Sequence, residues 1–535
     1  MHLHGLPDVP TCLRLLESCL ERTHRVAPDW ARHGLAHKGL ASDHPEEWLT
    51  GPVPVLRQLR LLMQTLGHLT QGRAGIGPKQ IAVDDAHRTW VRVLPSSPPD
   101  RLLFRGFSAE VLMDPGVGPD QVLDQVGPAH RAGRQPGTCL ILGAGNVSSI
   151  PAMDALTKLF VERRPSVVKL SPVNDWCRPY LETAFSTLIE NRHLAIVSGG
   201  AEEGARLIES PEVTQVHLTG SVETHHKIVF GGSEDRRLQG RPVIDKDVSS
   251  ELGNVSPVAV VPAIYKESEL AFLADNIVAM MVNNAGFNCN AVRVILVAKG
   301  WHQKESLFQA IRRRLEAERT RLSYYPGSRE TYEKLLEGRT DVLKVGLETH
   351  DRLPWTILRS LDPADRFFKR EHFVPVAAWH ELDVPNGLRF LDAATDFMNH
   401  ELWGTLNATL VIPEAQNASE MMASGLNDAL HRLDYGTVAI NHWPALGYAW
   451  AGPPWGGAPG RDLSDPQSGL GWVHNAYLLE GAHKVVIRGP FPCWPKPIWF
   501  ARHRGATEAA RRLADHETRG GWWSALRVAV PGVLA

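Results

Sequence analysis

The chain has 535 residues, with 57 Lys and Arg against 59 Asp and Glu, a formal charge of −2. Apolar residues make up 43% and charged residues 22%, the balance of a globular protein with room for two to four domains. Near-neutral charge argues against a nucleic-acid protein, no apolar run is long enough for a bilayer span, and the start Met1–Pro7 lacks the regions of a signal peptide, so a soluble, cytoplasmic protein is expected.

Helical periodicity marks Cys12–Arg22 and Val55–Leu66, and Ser96–Asp100 reads as a connecting loop. From Thr138 onward strands and helices alternate. Thr138–Leu142, Ser166–Leu170, Leu194–Val197 and Val213–Leu218 read as strands; Ala152–Val161, Tyr180–Glu190 and Glu202–Glu209 read as helices between them. A second alternating set follows: Ser256–Val261 (strand), Ser268–Val282 (helix), Val292–Val297 (strand) and His302–Glu316 (helix). Asn407–Ile412, Ala415–Ser424 and Thr437–Ile440 continue it as strand, helix and strand, and Pro444–Pro466 reads as a long irregular loop. Units of this kind imply parallel sheets covered by helices.

The six cysteines are scattered, without C-x-x-C pairs or zinc-ligand spacing, so no metal site is expected and most should be small buried side chains. The pair His225–His226 shows no metal spacing either, and Arg312–Arg314 reads as a solvated helix face. Leu142–Ser148 begins like a glycine-rich dinucleotide fingerprint, but Ser148 stands at the third glycine and the next strand ends in Lys169 rather than an acid. Asn146 and Lys169 therefore need another explanation.

Chemistry-bearing residues collect at strand ends and glycine-containing turns. Asn146 lies in Gly145–Pro151, Lys169 follows 23 residues later, and His217–Ser221 closes a strand and opens a helix. Glu251 lies in Glu-Leu-Gly-Asn-Val-Ser-Pro, directly before a strand, and Cys289 follows Asn-Asn-Ala-Gly-Phe-Asn, again before a strand. Glu371–Pro375 reads Glu-His-Phe-Val-Pro, and Pro454–Gly457 reads Pro-Trp-Gly-Gly.

In this order, from about Gly137 to Gly489, these motifs resemble those of the aldehyde dehydrogenase superfamily. The resemblance implies an α/β fold of two Rossmann-like parallel-sheet domains plus a small oligomerisation element. It implies a mainly helical region over 1–130 and a nucleotide-binding domain with the oligomerisation strand over 131–250 with 445–490. A catalytic domain would follow over 251–444, with a C-terminal extension over 491–535. NAD or NADP is the implied cofactor, held by Lys169, Gly220, Ser221, Leu252, Gly253, Glu371 and Phe373. A homodimer or homotetramer built through His483–Arg488 is the implied assembly.

The residue chemistry agrees. A Cys289 thiolate can attack an aldehyde carbonyl, and the Asn146 amide with the Cys289 backbone N–H can hold the oxyanion. Once hydride leaves, Glu251 can activate the water that hydrolyses the thioester. Phe287, Trp443, Trp450 and Trp455 would form an aromatic entrance if the Pro444–Pro466 loop folds over Cys289; otherwise the tryptophans pin that loop.

The pattern departs from the family at three places. Pro172 stands where NAD-preferring relatives carry Glu, which leaves NAD against NADP open. The Ala-Gly-Asn-Val of 144–147 is similar to the fatty-acyl-CoA reductase branch, which suggests an NADPH-dependent acyl-thioester reductase as an alternative. Val374 replaces a glycine in the Glu-x-Phe-Gly-Pro motif. Glu251 weighs toward hydrolysis, and a noncatalytic nucleotide-binding descendant is the remaining alternative.

Overall fold

The computed structural model describes residues 2–132, 137–384, 387–417 and 419–533. Two β-sheets organise the chain. The smaller has six strands in the order Leu194–Val197, Ser166–Lys169, Thr138–Leu142, Val213–Gly220, Asp247–Leu252 and Gly469–Leu470. The first five run parallel and only the two-residue strand at Gly469 is antiparallel. In chain order this is 3-2-1-4-5, so the winding reverses between Thr138–Leu142 and Val213–Gly220 and opens a crevice at their carboxyl ends.

The larger sheet has eleven strands. Its parallel centre comprises Thr437–Ile440, Asn407–Val411, Pro257–Val260, Val294–Ala298, Val376–Leu382 and Trp355–Leu358, with Val342–Val345 antiparallel at the edge. Pro257–Val260, Val294–Ala298 and Asn407–Val411 are buried at every position, which explains the unbroken apolar runs of the first two.

Several expected elements need correction. Residues 1–130 hold strands as well as helices: after the helices Val9–His37 and Pro52–Leu69 come the strands Ile81–Val83, Thr89–Leu94 and Ser108–Met113, which extend the larger sheet. The first helix is capped by Asp8, which accepts from the Thr11 N–H at 3.0 Å. Ser96–Asp100 is not a plain loop, because Ser97 caps a helix over Pro98–Leu103 whose two leading prolines suit a first turn. Tyr180–Glu190 divides into Arg178–Ala184 and Ser186–Glu190. Ala415–Ser424 becomes Glu414–Asn417 and Glu420–Arg432, with residue 418 outside the described set. Pro444–Pro466 contains the helix Ala445–Ala449 and the strand Pro454–Trp455.

The expected oligomerisation strand differs most. Ala482–Arg488 pairs antiparallel with Ser108–Met113 on one side and parallel with Thr437–Ile440 on the other. Both its edges are filled within the chain, so it offers no ladder to a second copy and belongs to the larger sheet.

The C-terminal extension is anchored rather than loose. Glu517, fully buried on the helix Ala506–Arg519, accepts from Arg57 Nη1 at 2.8 Å and Arg60 Nε at 2.7 Å, both on the helix Pro52–Leu69. Asp100 accepts from the same Arg57 at 3.3 Å. Among the described residues, no helix is long and apolar enough to cross a membrane.

Candidate active site

The crevice at the carboxyl ends of the smaller sheet faces the larger one across a cavity of about 390 Å³. Asn146, Gly220, Ser221, Glu251, Leu252, Gly253, Cys289, Glu371 and Phe373 all line it. Lys169 does not; it ends its strand with Asp175 and Glu203 as charged neighbours, and burial lowers its pKa against their pull.

Glu251 lies at the end of one strand as well as ahead of another, Pro257–Val260. It is the fifth residue of Asp247–Leu252, paired in register with Thr219, and the chain crosses to the larger sheet through the next four residues. That connection explains the rest of its motif. A Cβ on Gly253 would collide with the Glu371 carboxylate, so glycine lets that side chain lie against the main chain here. The Asn254 N–H donates to Glu371 Oε1 at 3.3 Å, and the Asn254 amide donates to the Asn407 carbonyl at 2.8 Å. Ser256 Oγ donates at 2.9 Å to the carbonyl of Cys289.

Cys289 follows the helix Glu267–Val282 and a turn in which Asn284, Ala285 and Gly286 take φ of 51°, 56° and 80°. Two non-glycine residues in the left-handed region are costly, and the surroundings hold them there. The Asn284 amide donates to the carbonyls of Asn146 at 2.9 Å and Phe287 at 3.0 Å. Arg293, buried at the start of the next strand, donates to the Gly286 carbonyl at 2.7 Å and also to the Val374 carbonyl. One guanidinium thus ties the cysteine turn to the Glu371–Pro375 segment.

One carboxylate contacts the thiol directly, and one carboxamide shares its cavity. Cys289 Sγ donates to Glu251 Oε1 at 3.4 Å. Asn146 Nδ2, in the same cavity, donates to the Phe287 carbonyl at 3.0 Å and has a second proton to offer. Burial, with the Glu251 and Glu371 charges, holds the thiol well above its ordinary pKa. Burial and the Asp154 carboxylate push Glu251 up to about 7, against the pull of Trp455 and Cys289. Burial likewise raises Glu371 to about 7, with Arg293 opposing.

The helix Val222–Phe230 begins at this cavity, capped by Ser221, which accepts from the Thr224 N–H at 3.2 Å. Its free N–H groups suit an anion, while Glu223 puts one negative charge on the same rim. Val374 needs no glycine, because the left-handed residue of its motif is Phe373, at φ 51°. The Phe373 ring lies 4.9 Å from Tyr325, which stacks at 5.6 Å on Phe287.

The expected aromatic entrance is replaced by this group. Phe287 is fully buried beneath Tyr325, and Trp443 donates its indole N–H to the Asn290 carbonyl at 2.8 Å inside the core. Trp450 lies against Phe104, remote from the thiol's cluster, and Trp455 packs with Leu406, Val473 and Cys289. None of these four lines the cavity; Tyr325, His372, Phe373 and Trp403 do.

Sequence reasoning missed Asp154, Asn284, Arg293 and Tyr325. Arg293 alone left a visible signal, a single charge inside an apolar strand. No group of three or more His, Cys, Asp or Glu among the described residues could hold a metal.

The aldehyde dehydrogenase family model matches residues 166–460, more than half of the chain. No curated protein matches in sequence. Among solved structures, a glyceraldehyde-3-phosphate dehydrogenase of Methanocaldococcus jannaschii complexed with NADP aligns with a TM-score of 0.60 at 16% identity, over 91% of this chain and 90% of its own. An NAD-dependent aldehyde dehydrogenase of Sinorhizobium meliloti gives 0.61 at 16%, over 92% and 84%. A substrate-bound aldehyde dehydrogenase of Staphylococcus aureus gives 0.59 at 17%, over 93% of each chain. At these identities the likeness shows a shared fold.

Proposed function

The chain belongs to the aldehyde dehydrogenase family, as an NAD(P)-dependent oxidoreductase, and on that premise we propose that it oxidises an aldehyde to a carboxylic acid through a covalent intermediate on Cys289. The observation that carries this reading is the 3.4 Å contact between Cys289 Sγ and Glu251, in a cavity shared with Asn146 and Glu371.

Glu251 takes the Sγ proton as the sulfur attacks the carbonyl carbon. The oxyanion of the thiohemiacetal is met by Asn146 Nδ2 and the Cys289 N–H, donors already fixed by the two turns. The chemistry supplied by bound NAD or NADP is acceptance of the hydride, which leaves a thioester on Cys289. Glu251 gives up that first proton to solvent, then takes one from the attacking water and returns it to Sγ as the acid departs, so the thiol and the carboxylate are both restored.

The residues present fit a dinucleotide. Gly220 and Ser221 open a helix with free N–H groups, and Leu252 and Gly253 line the same cavity, where the bare Gly253 leaves room for the Glu371 carboxylate. Glu371 and Phe373 line the cavity beside them, and Lys169 ends the strand next to Thr138–Leu142. By this assignment the six-stranded sheet forms the nucleotide-binding unit and the eleven-stranded sheet the catalytic one.

The six cysteines are all unpaired, which supports a cytoplasmic setting. Assembly as a homodimer or homotetramer would use a surface other than Ala482–Arg488.

The test is a panel of aldehydes with NAD and with NADP, following reduced cofactor and acid together. Equal amounts of the two products are expected. Oxidation of NADPH driven by an acyl-CoA, without aldehyde oxidation, would select the reductase. Cofactor binding without acylation of Cys289 would select a noncatalytic descendant.

A further inference from the structure

Two consecutive glutamates on the short helix Glu46–Thr50 are buried, at 2% and 0% exposure. Each holds one of the two turns that carry Asn146 and lead to Cys289, and these turns are hydrogen-bonded to each other. Glu46 Oε2 accepts from the backbone N–H of Asn284 at 3.0 Å and from Arg321 Nη1 at 2.5 Å. Glu47 Oε2 accepts from Ser148 Oγ at 3.1 Å, two residues beyond Asn146. Glu47 also forms an ion pair with Lys38, which caps the long first helix and is 4% exposed. Lys38 Nζ then reaches the carbonyl oxygen of Asn146 at 3.3 Å.

That carbonyl gathers further donors. Besides Lys38 it accepts from Asn284 Nδ2 at 2.9 Å and Tyr324 OH at 3.0 Å. Tyr324 shares its single proton between that carbonyl and Asn284 Oδ1, 2.9 Å away. A Cβ at Gly34 would press on the Glu47 carboxylate and Trp176, so the first helix carries glycine where Glu47 must sit.

We propose that Lys38, held by Glu47, is a positioning residue for the oxidation: it fixes the main chain of Asn146 and so aims the Asn146 carboxamide at the carbonyl oxygen of the substrate. The inference rests on the function proposed above. Lys38, Glu46 and Glu47 all precede the family match, so the N-terminal helices complete a site whose nucleophile lies some 250 residues away in the chain. The Lys38 charge is compensated inside the protein, and its ordering effect falls on one carbonyl. A misplaced donor costs rate without weakening ground-state binding.

The test is the double variant Lys38→Met with Glu47→Gln, which removes both charges together and leaves neither ion buried alone. Three quantities are read: the pre-steady-state burst of reduced cofactor, KM for cofactor, and hydrogen exchange of amides in 283–289 and 144–149. The burst rate should fall at least tenfold with KM for cofactor unchanged, and exchange in those two segments should quicken while the sheets keep their protection. A burst within twofold of wild type, or a rate loss that follows a raised KM with exchange unchanged, overturns the proposal.

If the double variant does not accumulate folded, Tyr324→Phe removes a neutral donor from the same carbonyl. It should lower the burst about threefold, and an unchanged burst with unchanged exchange counts against the proposal. Should wild-type protein oxidise no aldehyde, the function fails separately; the positioning role is then decided by exchange and by 4-nitrophenyl acetate cleavage at Cys289, which need no cofactor.

Discussion

The Cys289 thiol donates across 3.4 Å to Oε1 of Glu251, a carboxylate that is itself pushed up to about 7 by burial and by Asp154. The two groups therefore titrate as a pair. Each is harder to ionise while the other is charged, so nucleophile and base share one proton inventory.

Replacing Cys289 with Ala should abolish aldehyde oxidation, by roughly 10³-fold or more. Binding of NAD(P) should persist, because the cofactor wall is built from other residues. Turnover assays beside fluorescence titration of cofactor separate the two. A variant that keeps a tenth of the wild-type rate excludes Cys289 as nucleophile.

Hydrolysis of the thioester requires ionised Glu251, so its rate should rise with pH through about 7. Glu251→Gln should release one equivalent of reduced cofactor in a slowed burst and then stall, with the acyl group retained on Cys289. Intact-protein mass spectrometry after mixing with aldehyde checks this. Steady turnover without an acyl adduct would remove Glu251 from the hydrolytic step.

The same carboxylate leaves a signature in stability. Its pKa in the folded chain, about 7, lies above the ordinary value of 4.5, so the folded state binds more protons between them. The contribution is complete below about pH 4.5 and lost as pH rises through about 7, an effect of about 3 kcal/mol. Glu251→Gln should therefore gain more on wild type at pH 8 than at pH 4.5. Urea midpoints for both proteins at the two pH values measure the difference.

Gly253→Ala places a Cβ against the Glu371 carboxylate. Glu371 must then turn away from the cavity, and KM for cofactor should rise about tenfold, worth ~1.4 kcal/mol, while the rate of Cys289 alkylation stays near wild type. An unchanged KM would show that Glu371 does not contact the cofactor.

Glu517→Ala strips the carboxylate from Arg57 and Arg60 in a fully buried cluster. Leaving Arg57 with Asp100 as its remaining acidic partner should cost about 3–5 kcal/mol. A lowered melting temperature, with cofactor affinity unaltered at 20 °C, is the expected result.

Much of this site was readable because each motif residue sits where backbone geometry leaves little choice. Glu251 lies at the end of one strand and Gly253 opens the crossing to the next, and Cys289 follows an obligatory turn, so their order and spacing survive as a pattern. Parallel strands were equally plain, since burial on both faces writes a continuous apolar run. Lys38, Glu46 and Glu47 carry no such mark: a lone charged residue at a helix end reads as solvated until a chain segment 100 or more residues distant is folded onto it. Thr89–Leu94 was obscured differently. Its pattern of part-exposed Trp90 and exposed Arg92 between buried neighbours is that of a strand near a sheet margin, too brief to separate from loop. The tryptophans misled because side-chain size says nothing of direction, and Trp450 turns toward Phe104 rather than toward the thiol.

The strand Ala482–Arg488 sits between Ser108–Met113 and Thr437–Ile440. Both neighbours precede it in the chain, so the early strands reach the main sheet only through a segment that is synthesised last of the three. A chain stopped near residue 480 would carry two unpaired strand edges and should aggregate instead of forming a smaller enzyme.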